Sequence, residues 1–188
     1  NELRLADNPL LTRAVGLCRA SNAALLPVYC LDPRDFDPQA RTAFGSPKVG
    51  TARRRFLEEC LADLSSGLDG RGSRLLVCDA APELVLPAVA SAGDLVLAAR
   101  EACPEELAAE ARVGAALEAA GVGFELHDAG GVTALFGRED LAAARIEEGP
   151  KFPEDFKVYY DAVRPHVASV CQAGLCEAPA KLPPAGSP

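Results

Sequence analysis

Four short apolar runs, each separated from the next by a segment of helical period, constrain this chain more than any other feature. The runs are residues 24–30 (Ala-Leu-Leu-Pro-Val-Tyr-Cys), Leu75 to Cys78, Asp94 to Ala99, and Val122 to His127. Each has the length of a strand, and none is joined to the next by a hairpin-type turn. Strands that alternate with helices pair in parallel, because a parallel neighbour requires a crossover connection. The expected class is therefore α/β, and 188 residues suit one domain with a real core.

The helices between these runs carry their own signals. Asn8-Pro9 offers an N-cap followed by proline at the first helical position, opening a helix to about Ser21. Over 51–69, Phe56, Leu57, Cys60, Leu61, Leu64 and Leu68 recur at helical spacing as one apolar stripe. Arg54–Glu58 and Arg55–Glu59 are candidate i,i+4 pairs on its other face, and Gly70 and Gly72 end it. A helix is expected over 82–92. Another runs from Pro104 to Gly121, with Glu105 and Glu106 suited to the positive end of its dipole. Beyond residue 130 the pattern weakens, leaving short helices expected at 139–145 and 153–164. The last stretch, 165–188, holds five prolines and reads as a linker or docking extension rather than core. The division is thus a domain over 1–164 and a Pro-rich tail over 165–188.

Charge and residue chemistry exclude several classes. The net charge is -8, with 12 basic and 12 acidic residues in 1–100 but 5 and 14 in 101–163. Such a balance argues against nucleic-acid binding through this domain alone, since phosphate neutralisation drives that affinity. The basic stripe Arg41, Lys48, Arg53, Arg54 and Arg55 reads as a solvated helix face or an anion contact. No apolar run approaches the roughly 20 residues of a membrane-spanning helix. Seven cysteines at irregular spacing suggest small buried hydrophobes in a reducing compartment rather than a disulfide framework or a metal site. His127 and His166 are not spaced as ligands, and no Ser, Cys or His is grouped for nucleophilic catalysis, so no catalytic residue is named. Methionine is absent and the sequence opens at Asn1. That start fits removal of a targeting segment or a beginning further upstream, and a transit peptide would suit an organelle.

Several stretches in order resemble the photolyase/cryptochrome superfamily, especially its DASH branch and the plant blue-light-receptor photolyase-like proteins. Asn1-Glu2-Leu3-Arg4-Leu5 with Asp7-Asn8-Pro9 is similar to that family's Arg-Asn-Asp-Leu-Arg-Leu-x-Asp-Asn loop. Pro27 to Arg34 is similar to its Pro-Val-Tyr-x-Phe-Asp-Pro-Arg strand end, and Phe44 to Gly50 with Arg53 and Arg55-Phe56-Leu57 to its Phe-x-Pro-Lys-Thr-Gly element and helix. Gly72 to Val77, Pro82 to Pro87, and Arg100-Glu101 through Glu105-Glu106 continue the match to about residue 165.

The resemblance implies a Rossmann-like, doubly wound parallel sheet of the photolyase N-terminal type. Three departures accompany it. The family's opening strand, central in that sheet, would precede Asn1, so the sheet is expected to be split unless a strand comes from upstream residues or a neighbouring chain. The helical flavin domain lies outside these residues, so no FAD and no light-driven repair activity are expected of this chain. Asp128-Ala129-Gly130-Gly131-Val132 lacks the family's Trp-Gly-Ser-Thr-Leu-Tyr pattern. Two functional readings follow: a non-catalytic scaffold or accessory subunit of a larger, plastid assembly with protein partners, or an antenna domain for a folate or deazaflavin. For the second, the resemblance suggests Glu101 as the partner of a pterin ring, against the plainer reading of a solvated loop residue. Asp32, at a strand end, and Lys48 and Arg53, beside a helix start, are the other candidate cofactor contacts, against the plainer reading of surface charge.

Overall fold

The computed structural model describes residues 3–101, 103–127, 144–146, 154–172 and 177–187, with side chains described in the fourth segment only to residue 165. The chain opens with α1 (Pro9–Ser21), which ends where Asn22 adopts a left-handed φ of 54°. The Asn8 side chain caps α1 by accepting from the Leu11 N–H at 2.8 Å, and its amide also donates to the Arg4 carbonyl at 2.9 Å. β1 (Val28–Cys30) and the single turn α2 (Pro33–Phe36), capped by Asp32, follow. Next come α3 (Thr51–Asp69), β2 (Leu76–Cys78), α4 (Pro82–Val89), β3 (Leu95–Ala99), α5 (Pro104–Ala119) and β4 (Gly123–His127). The last described helix is α6 (Phe156–Gln172).

All four expected strands form, and each pairs in parallel with one neighbour. β1 lies beside β2 with Val28 opposite Leu76 and Cys30 opposite Cys78. β3 lies beside β4 with Leu95 opposite Gly123 and Ala99 opposite His127. The two pairs are separate two-stranded sheets among the described residues. Two of the buried apolar clusters follow the same division, and a third, around Ile146 and Val163, stands apart from both. Val15, Leu64, Leu68 and Leu182 form one cluster, joined by Leu3, Leu5, Leu11, Leu25 and Leu75. Val113, Leu117 and Val122 form another, joined by Leu86, Val96 and Phe124. Leu117 is fully buried.

Four expectations are corrected. The first strand is shorter than 24–30, because Leu25 pairs instead with Ala185 of the C-terminal stretch. The stripe on α3 narrows to Leu57, Leu61, Leu64 and Leu68, while Phe56 is 67% exposed, one position off the buried line. Arg55 does pair with Glu59 at 2.9 Å, but Arg54 turns to the Phe36 carbonyl at 2.7 Å rather than to Glu58. The helix expected to stop at 164 continues through Pro165 to Gln172; the ring costs one backbone hydrogen bond without ending the helix. The helix expected at 139–145 falls mostly outside the described residues.

The C-terminal stretch departs most from its composition. Its backbone is held by two bonds to Leu25, from the Leu25 N–H to Pro184 and from the Gly186 N–H to Leu25, and by a third from the Leu182 N–H to Arg71. The Arg71 Nε donates to the Pro179 carbonyl at 3.0 Å, Arg19 to that of Lys181, and Arg74 to that of Gly186. Prolines leave their carbonyls as acceptors, and three arginines from the body of the fold use the carbonyls along this stretch. Leu182, 4% exposed, drops into the α1/α3 core. Leu182→Ala is expected to destabilise the protein by about 2–5 kcal/mol, as for any truncated core leucine. Urea denaturation would test this, and a loss near zero would return residues 177–187 to the status of a linker.

Candidate functional site

Parallel strands direct their carboxyl ends to one edge, and two of them meet a cleft there. Val28 and Tyr29 of β1 form one wall, and Leu97, Ala98 and Ala99 of β3 the other. Leu3 and Leu10 approach from the α1 side, and Pro82, Leu86, Ala109 and Val113 come from α4 and α5. Three carboxylates stand among these apolar groups: Glu101, just past β3, and Glu106 and Glu110 on α5. The cleft holds about 360 Å³, within the size range of small-molecule sites. It combines apolar walls with a few polar groups at one end, the composition expected of a site for a planar organic ligand.

Glu101, singled out from the sequence, lines this cleft and is half-buried. Its backbone N–H donates to Glu110 Oε1 at 2.7 Å, so one turn of α5 fixes the loop that follows β3. The Tyr29 phenol is pushed up by burial, with Arg53 pulling the other way and Cys30 and Asp35 adding to the rise. Tyr29 therefore stays a neutral hydrogen-bonding group, and Arg53 is near enough to act on the cleft wall while itself exposed. Arg100 follows β3 with its Nε buried and without a hydrogen-bond partner among the described residues.

Asp32 and Lys48 lie in a neighbouring network of charges rather than in the cleft wall. Asp32 caps α2 through the Arg34 N–H at 2.9 Å and holds the Arg34 guanidinium in close contact. The same guanidinium makes two bonds to Glu83 of α4, at 2.8 and 2.9 Å, and Arg112 of α5 adds a third at 3.1 Å. This network ties the loop after β1 to the two helices that follow β2 and β3. Lys48 bridges Asp35 and Glu105 at 3.0 Å each, pinning the 37–50 loop to the start of α5. Its charge is thus matched by carboxylates of the chain itself. Reading the sequence missed Tyr29, Glu106 and Glu110 as cleft residues, and missed Arg34, Glu83 and Arg112 as the clamp. Tyr29 sits within a run already read as a strand end. The α5 carboxylates carried only a dipole signal, and their spacing to Glu101 becomes visible after folding.

The thiols are graded by environment. The Cys30 thiol is pushed up to about 11, first by burial and then by the Cys78 thiol opposite it. Cys103 is exposed at the start of α5. Iodoacetamide at neutral pH is expected to label Cys103 well before Cys30, since only thiolate reacts; peptide mapping would show the order. Among the described residues no group of three or more His, Cys, Asp or Glu could hold a metal.

Burial raises the Asp32 and Glu83 carboxyls, but hydrogen bonds and charge from Arg34 outweigh it and hold both below their usual range. Carboxyls depressed in the folded state stabilise it above their unfolded pKa, and that stability fades as pH falls through the folded values. Arg34→Gln should therefore cost about 1 kcal/mol at neutral pH, small because solvent screens a guanidinium that is 40% exposed. The difference should shrink below about pH 4. Urea titrations of both proteins on either side of that value would measure it, and a pH-independent loss would contradict the assignment.

Comparison with known proteins is consistent along nearly the whole chain. A family model described as DNA photolyase matches residues 1–179. A protein of Gloeobacter violaceus named cryptochrome DASH is 37% identical over 191 aligned residues, covering 98% of this chain and 34% of its own length. The chloroplastic/mitochondrial cryptochrome DASH of Oryza sativa subsp. japonica is 42% identical over 120 residues, 63% of this chain and 20% of that protein. The crystal structure of a Synechocystis cryptochrome superimposes over 98% of this chain and 35% of its own, with a TM-score of 0.76 at 28% identity. The chain thus spans between a fifth and about a third of the relatives it matches.

Proposed function

The chain belongs to the DNA photolyase family, and from that premise we propose that it is an antenna-type domain that holds a planar chromophore at the carboxyl ends of β1 and β3. The observation that carries this reading is the half-buried Glu101 carboxyl in an apolar cleft beside Tyr29. A pterin edge presents adjacent N–H donors, and a carboxylate accepts both at once. Glu106 and Glu110 make the same end of the cleft hospitable to donors and hostile to a phosphate. This acceptor set therefore suits a folate better than a phosphorylated deazaflavin, whose anionic end would have to turn toward Arg53. Here the protein's own residues would orient the ring and exclude water from it, while the bound chromophore would supply absorption. In this reading the sheet is one half of a Rossmann-like doubly wound arrangement, and the site lies where its winding direction reverses.

Neither flavin chemistry nor DNA repair is assigned to these 188 residues. The second reading, a non-catalytic scaffold or accessory subunit, is supported by large apolar side chains on the surface. Phe56, Leu84 and Phe156 are 67%, 69% and 75% exposed, and such groups suit burial against another protein surface. A plastid or mitochondrial setting is likewise proposed, on the naming of the plant relatives. No helix of the described residues is long and apolar enough to cross a membrane.

Methenyltetrahydrofolate titrated into the purified chain, followed by its near-ultraviolet absorbance and fluorescence, tests the antenna reading. Glu101→Gln should weaken binding at least about tenfold, because an amide meets one of the two ring donors with a donor of its own. Equal affinity of the two proteins would remove Glu101 from the site. Absence of binding by either would leave the scaffold reading in possession.

A further inference from the structure

Two cysteines stand opposite each other in the β1/β2 ladder. Cys30 is the last residue of β1, Cys78 the last of β2, and the two are partners in register. In-register neighbours project from the same face of a sheet, on strands roughly 4.8 Å apart. A disulfide needs Cα atoms about 4.4–6.8 Å apart, with both side chains on one side. The ladder therefore supplies the backbone part of that geometry. The bond from the Leu31 N–H to the Cys78 carbonyl, 2.7 Å long, holds the register at this end. Both thiols are free and partly exposed, within reach of a small solute.

No other two described thiols face each other across a ladder. Cys18 lies on α1, where its Sγ donates to the Ala24 carbonyl at 3.3 Å, and Cys60 lies on α3. Cys103 stands exposed at the N-terminus of α5. The position of the facing pair is also mechanically distinct. Cys30 leads into Asp32, and Cys78 leads into the start of α4, so the two thiols join the same loops that Arg34 joins by binding Asp32 and Glu83. The Asp32 and Glu83 carboxylates are near enough to act on the Cys30 thiol. Neither cysteine lines the cleft, so a chromophore there is no part of this chemistry.

We propose that Cys30 and Cys78 are a reversible dithiol/disulfide site, closed by a low-molecular-weight disulfide, that locks the carboxyl ends of β1 and β2 together beside the Arg34 clamp. The exchange balances in two steps. The Cys78 thiolate attacks one sulfur of the small disulfide, forming a mixed disulfide and expelling a first small thiolate. The Cys30 thiolate then attacks the Cys78 sulfur, forming the Cys30–Cys78 bond and expelling the second. Two electrons pass from the cysteines to the small disulfide, and the two cysteine protons leave on the two small thiols. The order follows from burial, which pushes the Cys30 thiol up to about 11 and leaves little thiolate there for a first attack. Proximity compensates in the second step, since the ladder holds Cys30 beside its target. An excess of the small thiol reverses the sequence. Closure encloses α2 and α3 in a covalent loop, so the strand ends stay together even when the Arg34 contacts open.

Incubation of the dilute full chain with oxidised glutathione, followed by peptide mapping without reduction, tests the site. The expected product is a peptide pair joined through Cys30 and Cys78, lighter than its parts by the two thiol hydrogens, and dithiothreitol should restore both thiols. The same treatment in urea should scatter the pairing over the other cysteines, because only the fold sets these two side by side. Cys30→Ser should halt the exchange at a glutathione adduct on Cys78; should that variant fail to fold, the map of the wild-type chain decides. Hydrogen exchange of the Leu31 amide, bonded to Cys78, should slow at least about tenfold on oxidation. Arg34→Gln should speed that exchange in the reduced protein and much less in the oxidised one. Cys30 left as a free thiol or a glutathione adduct in the native wild-type chain, or a linked fraction no greater in the native chain than in urea, would overturn the site. An unchanged Leu31 exchange rate in the linked protein would overturn the lock.

Discussion

Parallel pairing of short strands is the interaction on which the rest of this molecule depends. A strand of three residues, as in β1 and β2, has few ladder bonds and no stability of its own. It persists because helices bury its faces, and each pair here is served by its own apolar cluster. The β1/β2 pair rests with α1 and α3 around Leu64 and Leu68, and the β3/β4 pair with α4 and α5 around Val113 and Leu117. Cooperativity between the halves must come from contacts that span them. The described ion pairs that do so are Arg34 on Glu83, Lys48 between Asp35 and Glu105, and Arg13 on Glu125, and α1 also packs beside β3.

Those same contacts shape the cleft. The loop after β1 is held by Asp32 capping α2 and by Arg34 reaching α4, which keeps it beside the strand end instead of across the cleft. The loop after β3 is held by Glu110 through the Glu101 backbone, and Glu101 lines the cleft wall. Burial raises the Tyr29 phenol against the pull of Arg53, and burial prevails, so the phenol is a neutral partner for a ring. A ligand site at the carboxyl ends of parallel strands needs fixed loops around a floor of short side chains. Ala98 and Ala99 supply such a floor here.

The C-terminal stretch shows how little proline content says about burial. Prolines cannot donate to a ladder, yet their carbonyls and those of their neighbours accept well. Arg19, Arg71 and Arg74 meet three such carbonyls, and the Leu25 backbone meets the chain from the other side. One apolar residue, Leu182, then suffices to join the extension to the core.

Much of the local structure was legible because local rules decide it. Asn8 and Pro9 start α1 by satisfying or lacking the N–H groups a helix leaves unpaired, and helical spacing of leucines marks the buried face of α3. The succession of apolar runs and helices required parallel pairing, and motif resemblance pointed to Glu101. What sequence left undecided are matters of distance between residues far apart in the chain. Phe56 lies one position from the buried line on α3, and only the packed neighbours show that it faces out. Arg34 chooses Glu83, 49 residues away, over the solvent. Glu106 and Glu110 become cleft residues because α5 folds back beside the end of β3. Proline-rich composition left linker and docking extension both open for 177–187, since backbone acceptors carry no side-chain signature. Periodicity records which face of an element is apolar, but only the assembled fold decides what that face meets.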